Sequence, residues 1–110
     1  MSWRLRQVAV LAGDRDAAVA SIAGTFDLEV CHQADAIGDF AMSNALLPVG
    51  DQFLEVATPL DDSSPAGRLL TKRGDGGYLI ILQTDDLDAA RRRAEGAGAV
   101  VTIELDHPDA

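Results

Sequence analysis

The chain has 110 residues, with 18 acidic against 9 basic side chains and a formal net charge of −9. That length sets one domain, large enough for a real core at 47% hydrophobic residues. The acidic balance excludes a nucleic-acid groove, which needs a basic face. A single cysteine excludes an internal disulfide and a Cys-based zinc site. No apolar run approaches the ~20 residues of a membrane span, and no basic-plus-apolar leader opens the chain, so a cytoplasmic protein is the expectation.

In chain order, Leu5 to Ala12 reads as a strand, broken by Gly13 and Asp14. Asp14 is suited to cap a helix that carries Ala18, Ile22 and Phe26 at helical spacing, with Gly24 near its end. Phe26 to His32 alternates apolar and polar residues and predicts a second strand. Asp39 to Leu47 and Gln52 to Ala57 predict two more, joined by the turn Pro48-Val49-Gly50-Asp51. A polar stretch from Thr58 to Gly77 reads as a surface loop, with a short helix over Ala66 to Lys72. Tyr78 to Thr84 is almost wholly apolar and predicts a central strand. Asp86 to Gly96 predicts a helix stopped by Gly96-Ala97-Gly98, and Ala99 to Leu105 a last strand.

The sequence also repeats itself at an offset of 72 residues. Asp14-Arg15-Asp16-Ala17-Ala18 aligns with Asp86-Leu87-Asp88-Ala89-Ala90, Val8 with Ile80, Val10 with Leu82 and Gly24 with Gly96. Strand, acidic turn, helix and terminal glycine therefore occur twice. By this offset the second copy is about 20 residues, or two strands, shorter than the first.

Paired strand-helix-three-strand modules resemble the vicinal oxygen chelate superfamily, which includes glyoxalase, bleomycin-resistance proteins, extradiol dioxygenases and methylmalonyl-CoA epimerase. The epimerase-type branch is the most similar. Gln7-Val8-Ala9-Val10 resembles its opening strand. Phe53-Leu54-Glu55-Val56-Ala57-Thr58-Pro59-Leu60 resembles its Glu-Pro-Leu strand end, and Ser64-Pro65 through Lys72-Arg73-Gly74-Asp75-Gly76 its Ser-Pro to Lys-Arg-Gly-Glu-Gly loop. The resemblance implies an α+β fold of paired βαβββ modules in an open, curved mixed sheet. Module one covers about 3–58, a linker loop 58–77, and a partial second module 78–110, without its last two strands. The alternative is a ferredoxin-like βαββαβ sandwich, which 110 residues would complete.

In the family, a divalent metal such as Mg, Mn, Co, Ni or Zn sits on the concave face and serves enolate-forming chemistry. Carried over by position, its ligands fall on Gln7, Glu55 and Leu79, the fourth lying past the chain. Leu79 has no donor atom, and Tyr78 replaces the His before it. Two oxygen ligands hold such an ion poorly, so the expectation is a degraded site with no cofactor, Gln7 and Glu55 being the only metal ligands if one binds. The expected cleft is lined by Gln7, Asn44, Glu55, Tyr78 and Leu79, with Glu55 as catalytic base.

Each residue also has a plainer reading. Glu55 is either a cleft carboxylate or one paired with a surface arginine; apolar same-face partners Phe53 and Ala57 favour the cleft. Gln7 binds a ligand or satisfies a sheet neighbour. Met42 suits core packing and Tyr78 a rim position. His32 and His107 read as solvated, Cys31 as a packed or partly exposed thiol, and Arg91-Arg92-Arg93 as a solvated helix face. Lys72 and Arg73 suit the phosphates of a CoA ester or merely a charged loop. The function expected is small-molecule binding, with proton transfer next to a carbonyl or thioester if it is an enzyme. The alternatives are a non-catalytic sequestering protein of the bleomycin-resistance type, and an interaction module pairing as a homodimer through its sheet edges.

Overall fold

The computed structural model describes residues 1–35 and 41–105. Its elements run β1 (Trp3–Leu11), α1 (Arg15–Phe26), β2 (His32–Ala34), β3 (Met42–Val49), β4 (Gln52–Pro59), α2 (Pro65–Arg73), β5 (Gly76–Thr84) and α3 (Leu87–Gly96). The strands form one open mixed sheet in the order β2-β3-β4-β1-β5. β1 runs parallel to β4, and β3 is antiparallel to both β2 and β4. Three strands separate α1 from α2, as a βαβββ module requires and a βαββαβ sandwich does not.

Local chemistry sets the helix ends. Asp14 and Asp86 each cap their helix, accepting from the backbone N–H of Ala17 and Ala89 at 3.0 Å. Ser64 caps α2 through the Gly67 N–H at 3.0 Å, with Pro65 preset for the first turn. The β3–β4 hairpin closes on Gly50-Asp51, with Val49 opposite Gln52 and Gly50 at φ +62°. A glycine in that position fits a type II′ turn, whose twist matches the strands.

Strand alternation sorts the core into two layers. On one face Ala12, Ala45, Leu47 and Val56 pack with Val19, Ile22 and Ala23 of α1. On the other Leu11, Met42 and Ala57 pack with Ala66, Leu69 and Leu70 of α2 and with Tyr78.

The chain divides into two compact units, Met1–Arg4 with Gln83–Ala110, and Leu5–Leu82. Within the first, the Ser2 N–H donates to Asp85 at 2.9 Å and the Arg4 guanidinium to Gln83 at 3.2 Å. The second holds both core layers.

Three expectations are corrected, and one boundary falls outside the described residues. Phe26 to His32 is not a strand: α1 runs through Phe26, and Asp27 turns left-handed at φ 54° to close it, leaving β2 only three residues. The third strand begins at Met42; its expected start at Asp39 lies outside the described residues. β5 is an edge strand rather than a central one, with Leu79, Ile80 and Leu82 exposed. Residues 99–105 form no strand, and among the described residues no strand stands beside β5 on its outer side to pair with them.

Gly67 is the described glycine whose added Cβ would meet backbone most closely. A Cβ there would overlap the Asp61 carbonyl and lie 2.8 Å from Asp62 Cα. Gly67→Ala should destabilise the protein by about 1–3 kcal/mol, measured by urea unfolding, as overpacking against rigid backbone does.

The same loop carries an acid-sensitive contact. Hydrogen bonds from the Ser63 hydroxyl and then its N–H hold the Asp61 carboxyl below its usual range. A lowered carboxyl pKa gives stability that is complete above about pH 4 and disappears as pH falls through the depressed value. Asp61→Asn should make the melting temperature, measured between pH 5 and 2.5, fall slightly less steeply, the other carboxyls still titrating.

Candidate functional site

Three polar side chains meet on the sheet face opposite α1. Glu55 lies on β4 directly across from Ala9 on β1 and Leu46 on β3. Gln7 faces Phe53, two residues before Glu55, and Asn44 faces Ala57, two residues after it. Both therefore reach Glu55 on the diagonal, from opposite ends of β4, a distance long side chains span.

Gln7 Nε2 donates to Glu55 Oε1 at 2.5 Å, and Asn44 Nδ2 donates to Oε2 at 3.3 Å. A carboxylate only accepts hydrogen bonds, so each amide turns its nitrogen toward it. Gln7 and Asn44 are 8% and 9% exposed, while Glu55 is half-buried between them. Ala9 and Ala57 are buried and Leu46 and Phe53 half-buried on the same face, which makes an apolar collar around the carboxylate.

One atom in the cluster is unsatisfied. Asn44 Oδ1 is buried and accepts no hydrogen bond among the described residues. Such an orphan acceptor costs about 1–3 kcal/mol, so the Asn44 orientation is held by its bond to Glu55 and by its backbone. That backbone is tied down in turn. The Arg15 guanidinium donates to the carbonyls of Asn44 at 3.5 Å and Ala34 at 3.3 Å, to Ser43 Oγ at 2.9 Å and to Asp35 at 3.1 Å. Sequence reasoning missed this role for Arg15; its place just after a helix cap gave no sign of a reach of 28 residues to β3.

The other expected site residues divide. Tyr78 is half-buried and packs against Leu11, Met42 and Ala57, the face that carries Glu55. Leu79, next along β5, points to the opposite face and is 40% exposed. Met42 packs in the core. His32 is exposed, and the exposed Cys31 thiol donates to the Leu46 carbonyl at 3.5 Å. Arg91 pairs with Glu95 and Glu104 on an exposed helix surface. Arg73 donates to the Gly77 carbonyl. His107 lies outside the described residues.

The donors present do not fit the metal that the sequence resemblance implies. Both amides present nitrogen, not oxygen, to the centre of the cluster, and Glu55 is its one carboxylate. No three His, Cys, Asp or Glu side chains converge among the described residues. No described helix is long and apolar enough to cross a membrane.

No protein-family model and no curated sequence matches the chain. Solved structures do. A variant of Streptomyces coelicolor methylmalonyl-CoA epimerase, in complex with 2-nitronate-propionyl-CoA, is 25% identical and superposes with a TM-score of 0.80 over 92% of this chain and 76% of that one. The epimerase from Mycobacterium tuberculosis is 29% identical, with a TM-score of 0.73 over 86% and 63%. A hypothetical protein from Bacillus halodurans shares the fold at 19% identity and a TM-score of 0.79, over 89% and 70%. These neighbours are members of the vicinal oxygen chelate superfamily, and the chain has their glyoxalase-like fold.

Removing the carboxylate should strand both amides. Glu55→Leu should lower stability by about 1–3 kcal/mol through the buried donors left unpaired, read by urea unfolding. In the double variant with Gln7→Leu, part of that loss should return.

Proposed function

We propose that this chain binds a small acyl compound, of the thioester or related carbonyl class, on the sheet face that carries Glu55, and moves a proton next to its carbonyl. The observation that carries the reading is a half-buried carboxylate held by two amides inside an apolar collar. The likeness to epimerases solved with methylmalonyl-CoA and with 2-nitronate-propionyl-CoA supports the ligand class.

In this reading Glu55 takes the proton from the carbon beside the carbonyl. The C–H electron pair moves toward the carbonyl oxygen, and Glu55 holds the proton until it returns. Gln7 and Asn44 keep the carboxylate pointed at the reacting carbon. Ala9, Leu46, Phe53 and Ala57 exclude water, which sharpens every charge in the site. The apolar collar also favours a second reading, a non-catalytic drug- or metabolite-sequestering protein.

Deuterium exchange into methylmalonyl-CoA in D2O, followed by NMR, should be protein-dependent and slow by at least ~100-fold in Glu55→Gln. A thermal-shift screen separates the readings. Stabilisation by acyl-CoA esters or the glutathione hemithioacetal supports proton transfer; stabilisation by aromatic drugs alone supports sequestration.

A further inference from the structure

The metal misfit and the amide geometry point the same way. An amide –NH2 has two N–H groups. Gln7 and Asn44 each spend one on Glu55, at 2.5 Å and 3.3 Å, which leaves one on each side of the carboxylate. Gln7 and Asn44 are both buried residues, which limits the freedom of their amides before any ligand arrives. Preorganised donors of this kind, beside a base and out of water, stabilise an oxygen that gains negative charge. Asn44 Oδ1, buried without a donor, shows that the amide is oriented as a donor toward Glu55 at the expense of its own acceptor.

We propose that the site works without a metal: the second N–H groups of Gln7 and Asn44, one on each side of Glu55, hold the substrate's oxygens, in the role a divalent cation would otherwise fill. This rests on the acyl-compound reading above. It adds that recognition is of an oxyanion, such as an enolate or nitronate, by neutral donors. The chemistry required is modest. Glu55 removes the proton, and the two amides receive the charge that develops on oxygen.

The probe is 2-nitronate-propionyl-CoA, titrated by calorimetry into the full chain after EDTA treatment and again with added Co2+. The expected result is binding that Co2+ leaves unchanged, weakened about tenfold or more in Gln7→Met and in Asn44→Leu. Melting temperatures of both variants, and recovery of binding in Asn44→Gln, separate lost donors from lost folding. Binding that requires Co2+, or one Co2+ per chain retained through desalting and lost in Glu55→Gln, overturns the metal-free site but keeps the acyl reading. Absence of nitronate binding under every condition overturns both.

Discussion

The parallel pairing of β1 with β4 is the constraint on which the structure depends. Its register sets Val10 against Val56 on the α1 face and Ala9 against Glu55 on the other. A slip of one residue would send Gln7 into the α1 core and Val8 to the site. The apolar layer around Val19, Leu47 and Val56 makes that slip costly, since it would bury an amide without a partner. So the packing of α1 on one face fixes which polar groups meet on the other. β3 then joins through the hairpin at Gly50, whose two-residue loop leaves Asn44 no choice but to face Ala57, one diagonal from Glu55.

Within that frame the site is a balance of partly met demands. The carboxylate gains two donors, but Asn44 gives up an acceptor to supply one of them. Arg15 offsets the conflict by holding the Asn44 carbonyl and the side-chain hydroxyl of its neighbour Ser43. The Arg15 side chain is 15% exposed and its bonds run to β2, β3 and the segment between them. A polar network with one unmet member is tolerated most readily where a ligand is to be held, because function and satisfaction compete there.

Much of this was legible in the sequence. Asp14 and Asp86 announced their helices and Gly50 its hairpin; alternation gave Gln7, Asn44 and Glu55 a face only within their own strands, and the family resemblance, not alternation, grouped them in one cleft. The failures have physical causes. Phe26, Leu28 and Val30 alternate like a strand, yet only Leu28 packs; the left-handed turn at Asp27 is set by the helix end, which local alternation does not report. Tyr78 to Leu82 reads as a buried strand because apolar content is blind to which side has a neighbour. The amide orientations could not be read at all, since they follow from a diagonal contact across three strands. Position 79 illustrates the limit of counting: the 72-residue offset aligned it with Gln7, whereas the pleat puts Tyr78, not Leu79, on the Gln7 face.

Neutral donors also bound the chemistry the proposed site can perform. A divalent cation puts full charge beside a developing enolate oxygen, and an amide offers only a dipole. Two amides therefore lower the barrier less than a metal would, and the substrate must make up the difference with a more acidic C–H. A carbon between two carbonyl groups, as in a malonyl-type thioester, meets that demand better than a simple acyl chain. The collar of Ala9, Leu46, Phe53 and Ala57 works in the same direction, because excluding water strengthens each remaining dipole. The same sheet face that accommodates a weaker electrophile thus narrows the range of compounds on which it could act.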